Sequence, residues 1–203
     1  MDEFLQAYLN AHPAHHEMAE HWPVQGALRV RLCLATSLPP AHVSSSILAI
    51  VLNTDRQVLY LWPATPTGSI AHLLIGGRPQ PGETPEATAI REVGEETGWR
   101  ITPHRMIGFR HFFHLEPQSA AESDRPYPDF IQPIFAAYAG AFDPRLRVVN
   151  DRIPAEFMDL AAAAQATDFA QRPLLYAAAD DLGMTGTHAP VTSRQRRGPA
   201  EQL

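Results

Sequence analysis

GRPQPGETPEATAIREVGEETGW, residues 77–99, is the stretch on which the reading of this chain turns. It predicts a helix over residues 84–97. Thr84 can cap the start, Pro85 stands at the first helical position where its missing N–H costs nothing, and Gly98 is placed to end it. Ala87, Ile90 and Val93 form its expected apolar stripe. Glu92, Glu95 and Glu96 are spaced i, i+3 and i+4, which stacks three carboxylates on one helix face. Like charges so placed repel, and a divalent cation is the natural compensation. Oxygen-only ligands favour magnesium, manganese or calcium over zinc. Taken alone, the three glutamates also fit a solvated acidic face. The surroundings favour the metal: Gly76-Gly77 is a flexible turn where a backbone carbonyl can approach an ion, and an ion pair of Glu83 or Glu92 with Arg91 can brace the loop against the helix.

Working outward, Asp2 can cap a helical segment over residues 2–21 that Pro13 interrupts. Residues 27–35 alternate as a half-buried strand does. Ile47–Leu52 and Val58–Trp62, separated by the turn residues Asn53 to Arg56, read as a hairpin with a buried first strand. Further strands are expected over 70–75, near 100–115 and near 130–140, and helices over 160–166, capped by Asp159, and 172–181. The resulting fold class is α+β, an α/β/α sandwich built on a mixed β-sheet. Its parts are an N-terminal helical and strand extension over 1–44, a main domain over 45–182, and a polar tail over 183–203 that is expected to be disordered.

The chain has 203 residues, 45 % of them hydrophobic, which suits one globular domain with extra segments. A formal net charge of −6 argues against a surface that coats a nucleic-acid polymer, but not against a small anionic substrate neutralised by a metal. All basic residues are arginine, which removes lysine as a catalytic group. The single Cys33 excludes an intrachain disulfide and reads as buried filler. No basic-then-apolar leader and no run of eighteen apolar residues is present, so a cytoplasmic protein without a membrane partner is expected.

Residues 77–99 resemble the Nudix box, G-x5-E-x7-R-E-U-x-E-E-x-G-U with U a bulky apolar residue. Gly77, Glu83, Arg91, Glu92, Glu95, Glu96 and Gly98 fill every fixed position, Val93 fills the first U, and Trp99 fills the last, where an aliphatic residue is more usual. Seven fixed residues at ordinary usage match by chance in about 10⁻⁸ of windows.

The resemblance implies a Nudix-like fold and a hydrolase that cuts a diphosphate linkage in a nucleotide-like small molecule, with Mg2+ or Mn2+ as cofactor. Carried over by position, Glu92, Glu95, Glu96 and the carbonyl of Gly76 are the implied metal ligands, while Glu83 and Arg91 orient loop and helix. The general base differs between branches of the family. Glu92 is one candidate, and Glu116, Glu122, Asp124, Asp129 and Glu156 are others, with the loop pair Glu122 and Asp124 ranked first among the latter. Many relatives carry Asp-Glu before the last strand, where this chain has Asp151-Arg152. Substrate signatures are thin: Pro117 is the nearest proline to the position that marks the ADP-ribose branch, Glu116-Pro117 replaces a tyrosine of the dinucleoside polyphosphate branch, and Pro126-Tyr127-Pro128 is only loosely similar to the NADH-cleaving signature. Trp62, Phe112, Phe113 and Tyr127 can stack on a base or pack in the core. His111 and His114 are read as sharing a strand face, as a metal pair or as plain polar surface, and His12, His15, His16 and His21 as the surface of a helix. Arg194, Arg196 and Arg197 can meet an anionic partner. The role of residues 1–44 stays open between covering the site and forming a homodimer contact. Two other readings stand beside the hydrolase: a Nudix-fold module that binds a nucleotide without cutting it, which usually lacks box carboxylates, and an acidic helix that packs on a partner, which leaves the glycine and arginine spacing unexplained.

Overall fold

A computed structural model describes residues 2–62, 64–65, 68–69, 72–117, 125–148 and 153–185. The central feature is β3 (Ile47–Leu52), in which all six residues are buried. A strand buried on both faces must be covered by other layers on both sides, and this one is. It runs parallel to β9 (Asp129–Phe142) and antiparallel to β4 (Gln57–Leu61) and β7 (Ile75–Gly77). Beyond β9 come β8 (Trp99–His114), β2 (Gly26–Leu34) and β1 (Ala14–Trp22), all antiparallel, and β10 (Ala155–Asp159) closes the other edge. The sheet is therefore mixed, in the order β1-β2-β8-β9-β3-β4-β10, with β7 on β3. A separate two-stranded ribbon joins β5 (Ala64–Thr65) to β6 (Gly68–Ser69).

Period-two alternation divides the core between the two faces. On one face Val51, Leu59, Phe109, Ile131 and Phe135 pack with Leu5 and Leu9 of α1 (Glu3–Ala11) and with Ala89 and Val93 of α2 (Pro85–Thr97). On the other, Ile50, Val58, Tyr60, Phe112, Phe130 and Ile134 pack with Ala163 of α3 (Leu160–Ala166) and with Leu174, Leu175 and Ala178 of α4 (Arg172–Asp181). This is the expected α/β/α sandwich. Among the described residues no helix is long and apolar enough to cross a membrane.

Several local expectations are corrected. Residues 14–22 are a strand and not a continuation of the helix: they pair with β2 and their burial alternates residue by residue. His15, His16 and His21 thus lie on an edge strand, while His12 closes α1 with Nδ1 on the carbonyl of Tyr8 at 2.8 Å. The strand sought over 70–75 begins only at Ile75, and residues 70 and 71 lie outside the described residues. On α2 the buried stripe is Ala89 and Val93 with Thr88, Gly94 and Thr97, whereas Ala87 is exposed and Ile90 is 45 % exposed. Asp159 precedes α3 without capping it by its side chain, because its carboxylate accepts from Gln57 Nε2 at 3.3 Å. Gly183, placed in the tail, instead closes α4: its N–H donates to the Asp180 carbonyl and Met184 packs into the core, while residues 186–203, with their three arginines, lie outside the described residues. Asp2 and Thr84 do cap, accepting from the N–H groups of Phe4 and Ala87.

Cys33 is fully buried on the α1 face and burial pushes its thiol up to about 11. At pH 8 about one thiol in a thousand is then ionised. A disulfide reagent at that pH is expected to label no cysteine in the native protein and one after unfolding; rapid labelling of the native chain would contradict the burial.

Candidate active site

The box places its charges through backbone geometry first. β7 pairs Gly76 with Leu48 and Gly77 with Ile47, which brings the two glycines against β3. Gly76 has φ 149°, and a Cβ there would stand 2.1 Å from the carbonyl oxygen of Ile47. A Cβ on Gly77 would stand 2.5 Å from the Glu92 carboxyl group, so β7 lies directly beneath that carboxylate. Helix α2 then starts at the Thr84 cap, and Gly98, in the left-handed conformation at φ 81°, stops it and turns the chain into β8. Trp99, the unusual last residue of the box, packs its ring on Phe142 and Phe157 with centroids 5.3 and 5.0 Å away, so the neighbouring strands supply a niche wide enough for an indole.

Arg91 organises the carboxylates. Its guanidinium makes five hydrogen bonds: Nε to Glu83 Oε1 at 2.7 Å, Nη2 to Glu83 Oε2 at 3.0 Å and to the Arg78 carbonyl at 2.8 Å, and Nη1 to Glu92 Oε1 at 2.8 Å and Glu95 Oε2 at 3.1 Å. The fork on Glu83 is the bidentate geometry that arginine offers and lysine does not. Glu83 also accepts from the Gln80 N–H at 2.8 Å and the Thr88 hydroxyl at 3.0 Å, so the loop is tied to the helix at both ends. Arg91, followed by the Gln80 N–H, holds the Glu83 carboxyl down at about 2. Glu96 goes the other way. Burial first, and then the charge of Glu92, push it up to about 7, with a hydrogen bond from the Gly76 backbone opposing the rise. The site therefore crowds three carboxyl groups, Glu92, Glu95 and Glu96, and Arg91 donates to the first two of them.

The depressed Glu83 pKa fixes a pH dependence. A carboxyl lowered from 4.5 to about 2 on folding contributes stability that is complete above pH 4.5 and is lost as the pH falls through 2. Glu83→Gln is expected to flatten the loss of stability between these pH values in thermal melts; an unchanged acid limb would mean that the Arg91 fork is not kept in solution.

All the box residues expected at the site are brought together on α2, β7 and the loop between them. As arranged, with Glu92 and Glu95 turned to Arg91, no group of three or more His, Cys, Asp or Glu among the described residues has metal-holding geometry. The donor set itself fits a hard divalent cation: it is all oxygen, and the raised Glu96 marks charge that lacks a partner.

The other candidates fall elsewhere. Asp129 is buried and accepts from His111 Nε2 at 2.7 Å, Glu116 is exposed beside Gly26, and Glu156 is exposed on edge strand β10. Glu122, Asp124, Asp151 and Arg152 lie outside the described residues. His111 and His114 point to opposite faces of β8 rather than one, since three residues along a strand reverse the side. His111 meets Asp129 and His114 stacks near Phe130 and Tyr127, so they form no pair. Phe112 stacks on Phe130 in the core with centroids 4.5 Å apart, and Phe113 lies under the Arg29 guanidinium. Tyr127 is about half exposed, and Trp62 packs at the edge of the α4-side core. Sequence reading missed Thr88 and the Arg78 carbonyl. A polar residue buried at the first turn of α2 is the signal for Thr88, whereas a backbone carbonyl leaves none.

The NUDIX domain family model matches residues 43–178. The chain belongs to the Nudix hydrolase family. An uncharacterized Nudix hydrolase, orf19, of Rhodococcus erythropolis is 44 % identical to this Nudix chain over 61 residues, 28 % of the chain and 32 % of the relative, so the match spans about a third of that relative's length. A variant of the pyrophosphohydrolase BsRppH of Bacillus subtilis has the same fold, with a TM-score of 0.51 at 16 % identity over 84 % of this chain and 98 % of that one. A NUDIX hydrolase from Nitrosomonas europaea gives a TM-score of 0.48 at 18 % identity over 69 % and 88 %. The Nudix match begins at residue 43, and β1 and β2, which precede it, join the same sheet through β8.

Proposed function

We propose that this protein is a hydrolase, dependent on magnesium or manganese, that cuts the diphosphate linkage of a nucleoside diphosphate derivative: a nucleotide sugar, ADP-ribose, or an oxidised or otherwise non-standard nucleotide. The observation that carries the proposal is the complete set of box carboxylates, Glu92, Glu95 and Glu96, set against Gly76 and Gly77 with a charge excess that Arg91 does not cancel. A module that only binds nucleotides has no need to keep all three. Residues 45–182 form the catalytic domain in this reading, residues 1–44 extend its sheet, and the protein acts in the cytoplasm.

Glu92, Glu95, Glu96 and the Gly76 carbonyl would hold the cation. When bound, it neutralises charge on the non-bridging and leaving oxygens of the diphosphate. Arg91 and Glu83 fix the loop to the helix, so that the carboxylates and the Gly76 carbonyl keep one spacing through the reaction. Arg91 takes Oε1 of Glu92, which leaves Oε2 as the oxygen that can accept a proton from the attacking water. The test is product release from a panel of nucleoside diphosphate sugars, ADP-ribose and oxidised nucleotides, with magnesium or with a chelator. Turnover of at least one class that disappears with the chelator is expected. Tight binding of a panel member with no turnover at any metal concentration would move the reading to a nucleotide-binding module.

A further inference from the structure

The outer edge of β1 stands open. β1 ends the sheet on its side, and among the described residues no strand pairs with its free edge. Such an edge presents unpaired N–H and C=O groups that take up another strand unless something blocks them. The regular part is bounded at both ends. A bulge interrupts the pairing with β2 between Ala14 and His16, and Pro23, which has no N–H to offer, follows Trp22. His16 to Trp22 remain as an uninterrupted strand.

The side chains of that segment single out its occupant. Edge strands are commonly protected by charges, lysine above all, that meet their like in a second copy. His16-Glu17-Met18-Ala19-Glu20-His21-Trp22 carries no lysine or arginine and is complementary to itself read backwards. Two copies paired antiparallel about a two-fold axis at Ala19 set Glu17 of each opposite His21 of the other, on the exposed face of β1. An imidazole N–H donates to a carboxylate whether the ring is neutral or charged. Glu17 is 53 % exposed and touches Arg31 Nε only at 3.7 Å, so its carboxylate is within reach. Ala19 is exposed and small, and lets the two backbones approach at the axis. On the half-buried face His16 falls opposite Trp22. Met18 falls opposite Glu20, whose carboxylate is turned away to accept from Arg110 Nη2 at 2.9 Å and Trp22 Nε1 at 2.7 Å. Phe169, 74 % exposed, stands edge-on to His16 with centroids 6.4 Å apart, where it can cover the arriving Trp22. Moving the axis to Met18 would run the pairing into the bulge and set His15 against His21.

We propose that β1 is the contact of a homodimer, in which two copies of this chain pair edge to edge in the register set by Ala19 and their sheets run on into one. The proposal is independent of the hydrolase reading. β1 lies ahead of the matched residues 43–178, so the contact belongs to the N-terminal extension and not to the matched domain.

The test is sedimentation velocity of the full chain over a wide range of concentrations, with cysteine cross-linking to read the register. Residues opposed at the axis stand roughly 4.5–5.5 Å apart at Cα, within disulfide reach, whereas residues next to the axis meet their own counterparts at more than about 7 Å. The wild type is expected to form a reversible dimer. Ala19→Cys is expected to give a disulfide-linked dimer on mild oxidation and Met18→Cys is not, while the native Cys33 is buried and takes no part. His21→Glu, a change at an exposed position, sets like charges together twice and is expected to weaken association about tenfold. Glu17→His/His21→Glu, which exchanges the two residues, is expected to restore it to within about threefold. A wild type that stays monomeric at every concentration, a dimer indifferent to His21→Glu, or cross-linking through Met18→Cys in place of Ala19→Cys would overturn the proposal.

Discussion

Replacing Glu95 and Glu96 together by glutamine is expected to lower turnover on the best substrate by on the order of 10³-fold while leaving the protein folded. Loss of a cation that stabilises several kcal/mol of transition-state charge corresponds to this factor, at about 1.4 kcal/mol per tenfold. The fold should tolerate the change. Glutamine is nearly isosteric, and Glu96 is a buried carboxyl already pushed up by burial and by Glu92, so neutralising it relieves repulsion. Glu95 gives up one contact to Arg91, whose guanidinium keeps Glu83, Glu92 and the Arg78 carbonyl. A melt within a few degrees of the wild type, combined with lost turnover, would assign the carboxylates to chemistry. Turnover within threefold of the wild type would show that they are not the groups that hold the cation.

Gly76→Ala, just ahead of the box, is expected to have a larger effect on stability than any single methyl added within the box. The new Cβ would meet the Ile47 carbonyl at 2.1 Å, and that oxygen belongs to β3, the most buried strand, so it cannot swing away as a side-chain end can. The φ of 149° adds strain for any residue with a Cβ. Relief requires β7 to leave β3, with loss of the pairings of Ile47 with Gly77, Leu48 with Gly76 and Ala49 with Ile75. The cost is roughly 3 kcal/mol or more, about 6–12 °C in the melting temperature for a domain of this size. Activity should fall even at temperatures where the variant is folded, because β7 carries the carbonyl and the glycine beside Glu92. A melting temperature equal to the wild type's would mean that β7 is not seated on β3 as described.

How much of this was legible in the sequence depended on what each element has to satisfy. The box read clearly because each fixed residue meets a separate local demand: a cap at Thr84, a left-handed stop at Gly98, a fork from Arg91 to Glu83. The central strand read clearly because burial on both faces leaves room only for Ile47-Leu-Ala-Ile-Val-Leu52. The edge strand β1 did not. Exposed on one face and only half-buried on the other, it carries histidine and glutamate freely, and Met18 and Trp22, four residues apart, imitate a helical repeat. The stripe of α2 was misplaced because close packing there takes small residues, Ala89 and Gly94 with Val93, and leaves Ile90 outside, so hydrophobicity was a poor guide to which side faces the sheet. The link from Glu20 to Arg110 spans 90 positions and exists only through the pairing of β1, β2 and β8. No local pattern announces such a contact.

The most direct test of the central claim is hydrolysis of the best panel substrate in ¹⁸O-labelled water with magnesium, followed by phosphorus NMR of the products. Cleavage of the diphosphate, with label incorporated at one of the two phosphorus atoms and lost with the Glu95→Gln/Glu96→Gln protein, is the predicted result. Substrate that binds and is recovered intact and unlabelled, from wild type and variant alike, would contradict it.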